Sequence, residues 1–155
     1  MAKKRKLHTT FTPEFSVISL FSAQKDYRLC WLINNHLHVG LKRLPDFQPV
    51  KEEQPSSGKF SVYACHNPQI MTSHYLVSNK SADDLLVDVS PAPDFLMLVQ
   101  QGEEPVDTET FNTLISSLRA IPMIDAAYNF DDKLAQKAGA FLYDFEIFLA
   151  TADRP

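Results

Sequence analysis

FSVISLFSAQKDYRLCWLINNHLHV, residues Phe15 to Val39, reads as a strand, a short turn and an amphipathic helix. The run FSVISLF has the length of a strand and is rich in β-branched and aromatic residues. Ser22 to Lys25 turns the chain. Asp26 stands where an N-cap or first-turn acid stabilises the free N–H groups of a helix start. Leu29, Leu32, Ile33 and Leu37 recur at helical spacing with Cys30 beside them, so one stripe of the helix faces a core. Tyr27 and Trp31 share an outer edge, and Arg28 and Asn35 face away from the core. Gly40 is the expected stop.

Upstream of this unit, residues 1–13 read as a basic, disordered tail that ends at Pro13. Lys3, Lys4, Arg5 and Lys6 carry its charge, and no acidic residue falls in the first ten positions. All 19 acidic residues therefore lie in the body, which makes the body a poor surface for nucleic acid. Nucleic acid or an acidic partner could engage only the tail. The basic start is followed by a polar stretch from His8 to Glu14, so it does not read as a signal peptide. No run approaches the roughly 18 apolar residues that span a bilayer, and no membrane role is expected.

Downstream, residues 41–47 form a short extended piece broken by Pro45, and residues 48–59 are a polar loop rich in Pro and Ser. A hairpin follows. Phe60 to Cys65 alternates like a strand, Asn67-Pro68 turns, and His74 to Ser78 returns with Tyr75 and Val77 on one face and Leu76 on the other. LLVDV at 85–89 is a further short extended segment. FLMLV at 95–99 is continuously apolar, the mark of a strand buried on both faces. Asp107 or Thr108 caps a second helix whose stripe is Phe111, Leu114, Ile115 and Leu118, closed by Ile121-Pro122. Residues 124–128 form a last strand. Residues 133–150 read as a third helix, although Tyr143, Phe145, Ile147 and Leu149 also alternate like a strand.

This order predicts an α+β fold. The expectation is one domain over residues 14–150, with residues 151–155 a tail, built on a mostly antiparallel sheet of about five strands with two or three helices packed on one face. A chain of 155 residues can bury a sizeable core, and 45% hydrophobic with 22% charged residues is ordinary for a soluble protein. Cys30 and Cys65 make no disulfide framework and read as free thiols of a reducing cytoplasm.

KDYRLCWLIN (25–34), the strand pair FSVY (60–63) and HYLVSNKS (74–81), DFLMLVQQG (94–102), and the helix that ends at Ile121-Pro122 occur in one order. That order resembles the IPExxxVDY family of small Bacteroidota proteins over about residues 15–132. Met123 stands where the family name has Glu, and Ala127, Tyr128 and Asn129 stand in place of its Val-Asp-Tyr, so no role passes to the motif glutamate. The resemblance implies a small cytoplasmic bacterial protein and no established activity.

Chemistry-bearing residues are few. Cys30, His36 and His38 are of metal-ligand type, but neither they nor Cys65, His66 and His74 have the spacing of a closed zinc site. Cys65 and His66 are adjacent and point to opposite faces of a strand, whereas Cys65 and His74 could meet across the hairpin, depending on register. The acid pairs at 52–53, 83–84, 103–104 and 131–132 fall in polar loops, where nothing raises a carboxyl pKa for acid catalysis. With 4 glycines in the chain, a phosphate cradle is not expected. No catalytic residue and no cofactor is assigned.

The aromatics Tyr27, Trp31, Phe141, Tyr143, Phe145 and Phe148 exceed what one face can hide. They suggest an interaction surface for a protein partner or a second copy. The leading expectation is thus a non-enzymatic protein-interaction domain. The alternatives are an RNA-associated accessory protein that uses the Lys3–Lys6 tail, and a small enzyme or metal-binding protein that uses Cys and His.

Overall fold

Alternating side chains drive the strands of this chain to one sheet with two buried faces. The computed structural model describes residues 15–49, 58–82, 84–102, 106–130 and 132–152, the side chains of 132–140 excepted. The elements in chain order are β1 (Ser16–Phe21), α1 (Asp26–Leu37), β2 (Lys42–Phe47), β3 (Phe60–Asn67), β4 (Thr72–Ser78), β5 (Lys80–Ser81), β6 (Asp84–Leu85), β7 (Phe95–Gln101), α2 (Thr108–Arg119), β8 (Ala126–Asn129) and α3 (Asp132–Ala152). The expected helices and hairpin all form, and the segment from residue 132 onward is a helix.

Six strands pair in the order β2-β3-β4-β7-β1-β8, all antiparallel, one strand more than expected. β5 and β6 make a separate two-stranded ladder. β7 lies between β4 and β1, which explains its unbroken apolar run. Its residues Phe95, Met97 and Val99 enter one core, while Leu96 and Leu98 enter the other. Pro45 does not break β2. It is accommodated by a register shift between Leu44 and Phe47 on an edge strand, where a missing N–H costs nothing.

α1 and α2 cover the first face through Leu29, Ile33, Phe111, Ile115 and Leu118. α3 covers the opposite face, where Phe141, Leu142 and Phe145 meet Val17, Phe47, Val62, Val77, Leu96 and Leu98. Two helices therefore share a face as expected, and the third balances them on the other side. Phe145 is fully buried within an aromatic cluster, at 5.2 Å from Phe47, 5.6 Å from Tyr75 and 5.7 Å from Phe148. Such ring pairs contribute about 0.5–1.5 kcal/mol each beyond their buried area.

Local chemistry fixes the connections. The N-cap of α1 is Lys25, with no side-chain cap, and Asp26 is the first-turn acid. Gly40 does not take the left-handed position that ends α1. His38 does, with φ 56. Asp107 caps α2 by accepting a hydrogen bond from Thr110 N at 2.7 Å, which lowers its carboxyl pKa. The excursion from β4 to β7 is held by Asn79, fully buried, whose amide donates to the Val87 and Pro93 carbonyls and accepts from Val87 N.

Candidate functional site

The two sides of the sheet are filled differently. Under α3, large rings interlock. Under α1 and α2 a cavity of about 430 Å³ remains between the two helices. That volume lies in the range of small-molecule sites, roughly 300–1,000 Å³. Ile33, Leu37, Val39 and Leu41 form one wall, Met97 and Val99 with Thr72 and His74 form the floor, and Val106 with α2 residues from Glu109 to Ser117 supplies the other wall.

Each wall has a local cause. Asn34 clamps the α1–β2 loop: its Nδ2 donates to Leu41 O at 3.1 Å and its Oδ1 accepts from Leu41 N at 2.9 Å. This holds Leu37, Val39 and Leu41 together at the end of α1. On the floor, strand alternation puts His74 in phase with Leu76, on the face that α1 and α2 cover. On α2, the residues that line the cavity beside Leu114 are short and polar, Thr110, Thr113 and Ser117, so the helix does not fill the gap. Nearby, Gly102 turns the chain with φ 62 and donates its N–H to Met71 O at 2.6 Å. A residue with a Cβ is strained at that φ.

The polar groups at the cavity are few. His74 Nδ1 is buried and has no hydrogen-bond partner. Burial lowers the His74 pKa from its ordinary value, which keeps the ring neutral at pH 7. Among the described lining residues Glu109 is the one carboxylate, and it stands at an exposed position. The register settles the pairing left open by the sequence: Cys65 lies directly opposite His74, so the two share a face. Cys65 is half-buried against the same core, and no hydrogen bond joins it to His74.

The other sequence candidates are dispersed. Cys30 is buried in the core, where burial first and Asp26 second raise its thiol pKa. His36 is exposed and bonds the Leu32 carbonyl through Nδ1 at 3.0 Å, and His38 caps the helix, so these three do not converge. Among the described residues no group of three or more His, Cys, Asp or Glu side chains is placed to hold a metal ion.

The aromatic set also divides. Tyr27 and Trp31 are 66% and 56% exposed on the outer side of α1, with the Arg28 guanidinium 5.4 Å from the Trp31 ring centre. Tyr143 is exposed on α3. Phe141 and Phe145 are core residues and Phe148 packs half-buried against them, which corrects the expectation that they belong to a surface. Helical spacing brought them to the inner stripe of α3, and the sheet lies between that helix and α1. Tyr27 and Trp31 therefore form no common patch with them.

Lys3, Lys4, Arg5 and Lys6, most of the 48–59 loop and the acidic residues Asp83, Glu103, Glu104 and Asp131 lie outside the described residues. No described helix is long and apolar enough to cross a membrane. No family model matches the chain, and no curated protein or solved structure does.

The sequence reading missed the cavity. Its one visible signal was His74, a titratable residue in phase with a core leucine, since a buried histidine needs a partner.

Proposed function

We propose that this chain is a non-enzymatic binding domain, and that it holds a small, mainly apolar molecule between α1 and α2. The observation that carries this reading is the cavity of about 430 Å³ with mainly apolar walls and a few polar side chains, Thr72, His74, Thr110, Thr113 and Ser117 among them. Interiors are normally filled to crystal-like density, and on the opposite face of this same sheet Phe47, Phe141, Phe145 and Phe148 pack ring against ring. A cavity with apolar walls and a few convergent polar groups is the usual form of a ligand site. A protein partner or second copy remains a use for Tyr27 and Trp31 alone. The resemblance of residues 25–34 and 94–102 to IPExxxVDY proteins supports a bacterial, cytoplasmic setting and adds no activity.

Titration of the purified chain with naphthalene, followed by methyl NMR, tests this reading. Shifts are expected at Ile33, Leu37, Val99 and Leu114, and Ser117→Phe, which fills the gap, should abolish them. Absence of shifts in the wild type, or shifts centred on the α3 side, would sink the reading.

A further inference from the structure

We infer that Arg119 keeps the open edge of the sheet at β8 from pairing with a second copy of the chain. Neither Arg119 nor β8 lines the cavity, so the two readings stand apart. The sheet ends at β2 on one side and at β8 on the other. An open edge is a template for another strand unless something blunts it. At β2 the register shift around Pro45 and the exposed side chains of Lys42, Arg43 and Asp46 do so. β8 itself has neither a proline nor a charged residue. Its hydrogen bonding shows which groups turn outward. Phe130 N donates to Val17 O at 3.0 Å, and bonded and non-bonded pairs alternate along an antiparallel ladder. Tyr128 therefore bonds inward to Ser19, while Ala127 and Asn129 turn their N–H and C=O groups away from β1.

Arg119 lies across that outward edge. It is the last residue of α2, on the face of the sheet that Leu20 and Ala127 help to bury. Its Nε donates to Ala127 O at 2.8 Å and so takes one outward carbonyl. Its guanidinium then lies 5.7 Å from the ring centre of Tyr128. That ring belongs to the opposite face, because Tyr128 pairs with Ser19, in phase with Val17 of the core under α3. One side chain thus starts on one face, crosses the edge of β8 and ends against a ring on the other. Phe21 braces that ring from 6.1 Å. Ala127 is fully buried although no described strand lies beyond it. A planar, charged guanidinium suits the post, since it bonds a carbonyl and rests on an aromatic face at once. A second copy related by a two-fold axis would bring its own Arg119 to the same place, and like charges opposed on paired strands are destabilising.

Arg119→Ala in the full chain opens the edge. By size exclusion with light scattering, the wild type is expected to hold a mass of 17.6 kDa across a concentration series, and Arg119→Ala to approach twice that mass as concentration rises. Amide hydrogen exchange followed by NMR locates the contact. The Asn129 N–H, outward at an exposed position, should exchange fast in the wild type and become protected in the Arg119→Ala dimer. Asn129→Pro added to Arg119→Ala removes that donor without touching the ladder to β1, and should return the monomer. Tyr128→Ala removes only the ring beneath the guanidinium. It should dimerise more weakly by the same route, and it carries the test if thermal melts show that Arg119→Ala does not fold. The inference is overturned if the folded variant stays monomeric, if it associates with Asn129 left unprotected or with Asn129→Pro unable to reverse it, or if the wild type already pairs through β8.

Discussion

The two faces of the sheet both bury apolar cores and solve the packing problem in opposite ways. On the α3 face, Phe47, Phe141, Phe145, Phe148 and Tyr75 interlock, with Phe145 in contact with each of the others. One helix suffices, because rings of that size bridge from helix to sheet. On the α1/α2 face two helices lie side by side, and the side chains between them are aliphatic or short and polar. The gap that they leave is the cavity. One face is bridged by rings, and the other keeps a gap between its helices.

Phe145→Ala attacks the filled face and carries the largest expected effect. Loss of a fully buried ring at the hub of a cluster should cost about 3–5 kcal/mol in urea unfolding. Leu114→Ala on the other face should cost less than half as much, because its half-buried side chain borders space that is already empty. Equal losses at the two positions would erase the contrast between the faces.

His74→Leu sharpens the comparison through pH. Burial holds the His74 pKa below its ordinary 6.5, so the unfolded chain binds this proton more readily than the folded one. Stability therefore falls as pH drops through about 6.5 and levels off below the folded value. Glu109 lines the same cavity at an exposed position, and Cys65 faces the ring across the hairpin. His74→Leu should flatten that part of the curve, read from melting temperatures between pH 7 and 5. An unchanged slope would mean that His74 is hydrated in solution and that the floor is not dry. The smallest effect belongs to the surface: Trp31→Ala should change stability by no more than about 0.5 kcal/mol, since the ring is more than half exposed.

Much of the fold was legible because its elements are local. The α1 stripe of Leu29, Leu32, Ile33 and Leu37, the Asp107 cap, the Asn67-Pro68 turn and the buried run from Phe95 to Val99 each declare themselves within a dozen residues. The candidate site was less legible. Alternation told that His74 and Tyr75 point to different faces of their strand, but the helices that cover the His74 face come from two segments far apart in the chain. The aromatic residues of α3 were visible as a stripe, yet a stripe does not state whether sheet or solvent lies against it.

The sequence by itself determined the periodicities, and through them the element order, the antiparallel hairpin and a double-sided central strand. Only the tertiary structure decided that α3 takes the face opposite α1 and α2, that Cys65 stands across from His74, and that α1 and α2 leave space between them. The reason is physical. Backbone periodicity is a property of neighbouring residues, whereas the filling of a core depends on which distant side chains meet and on the volumes that they bring.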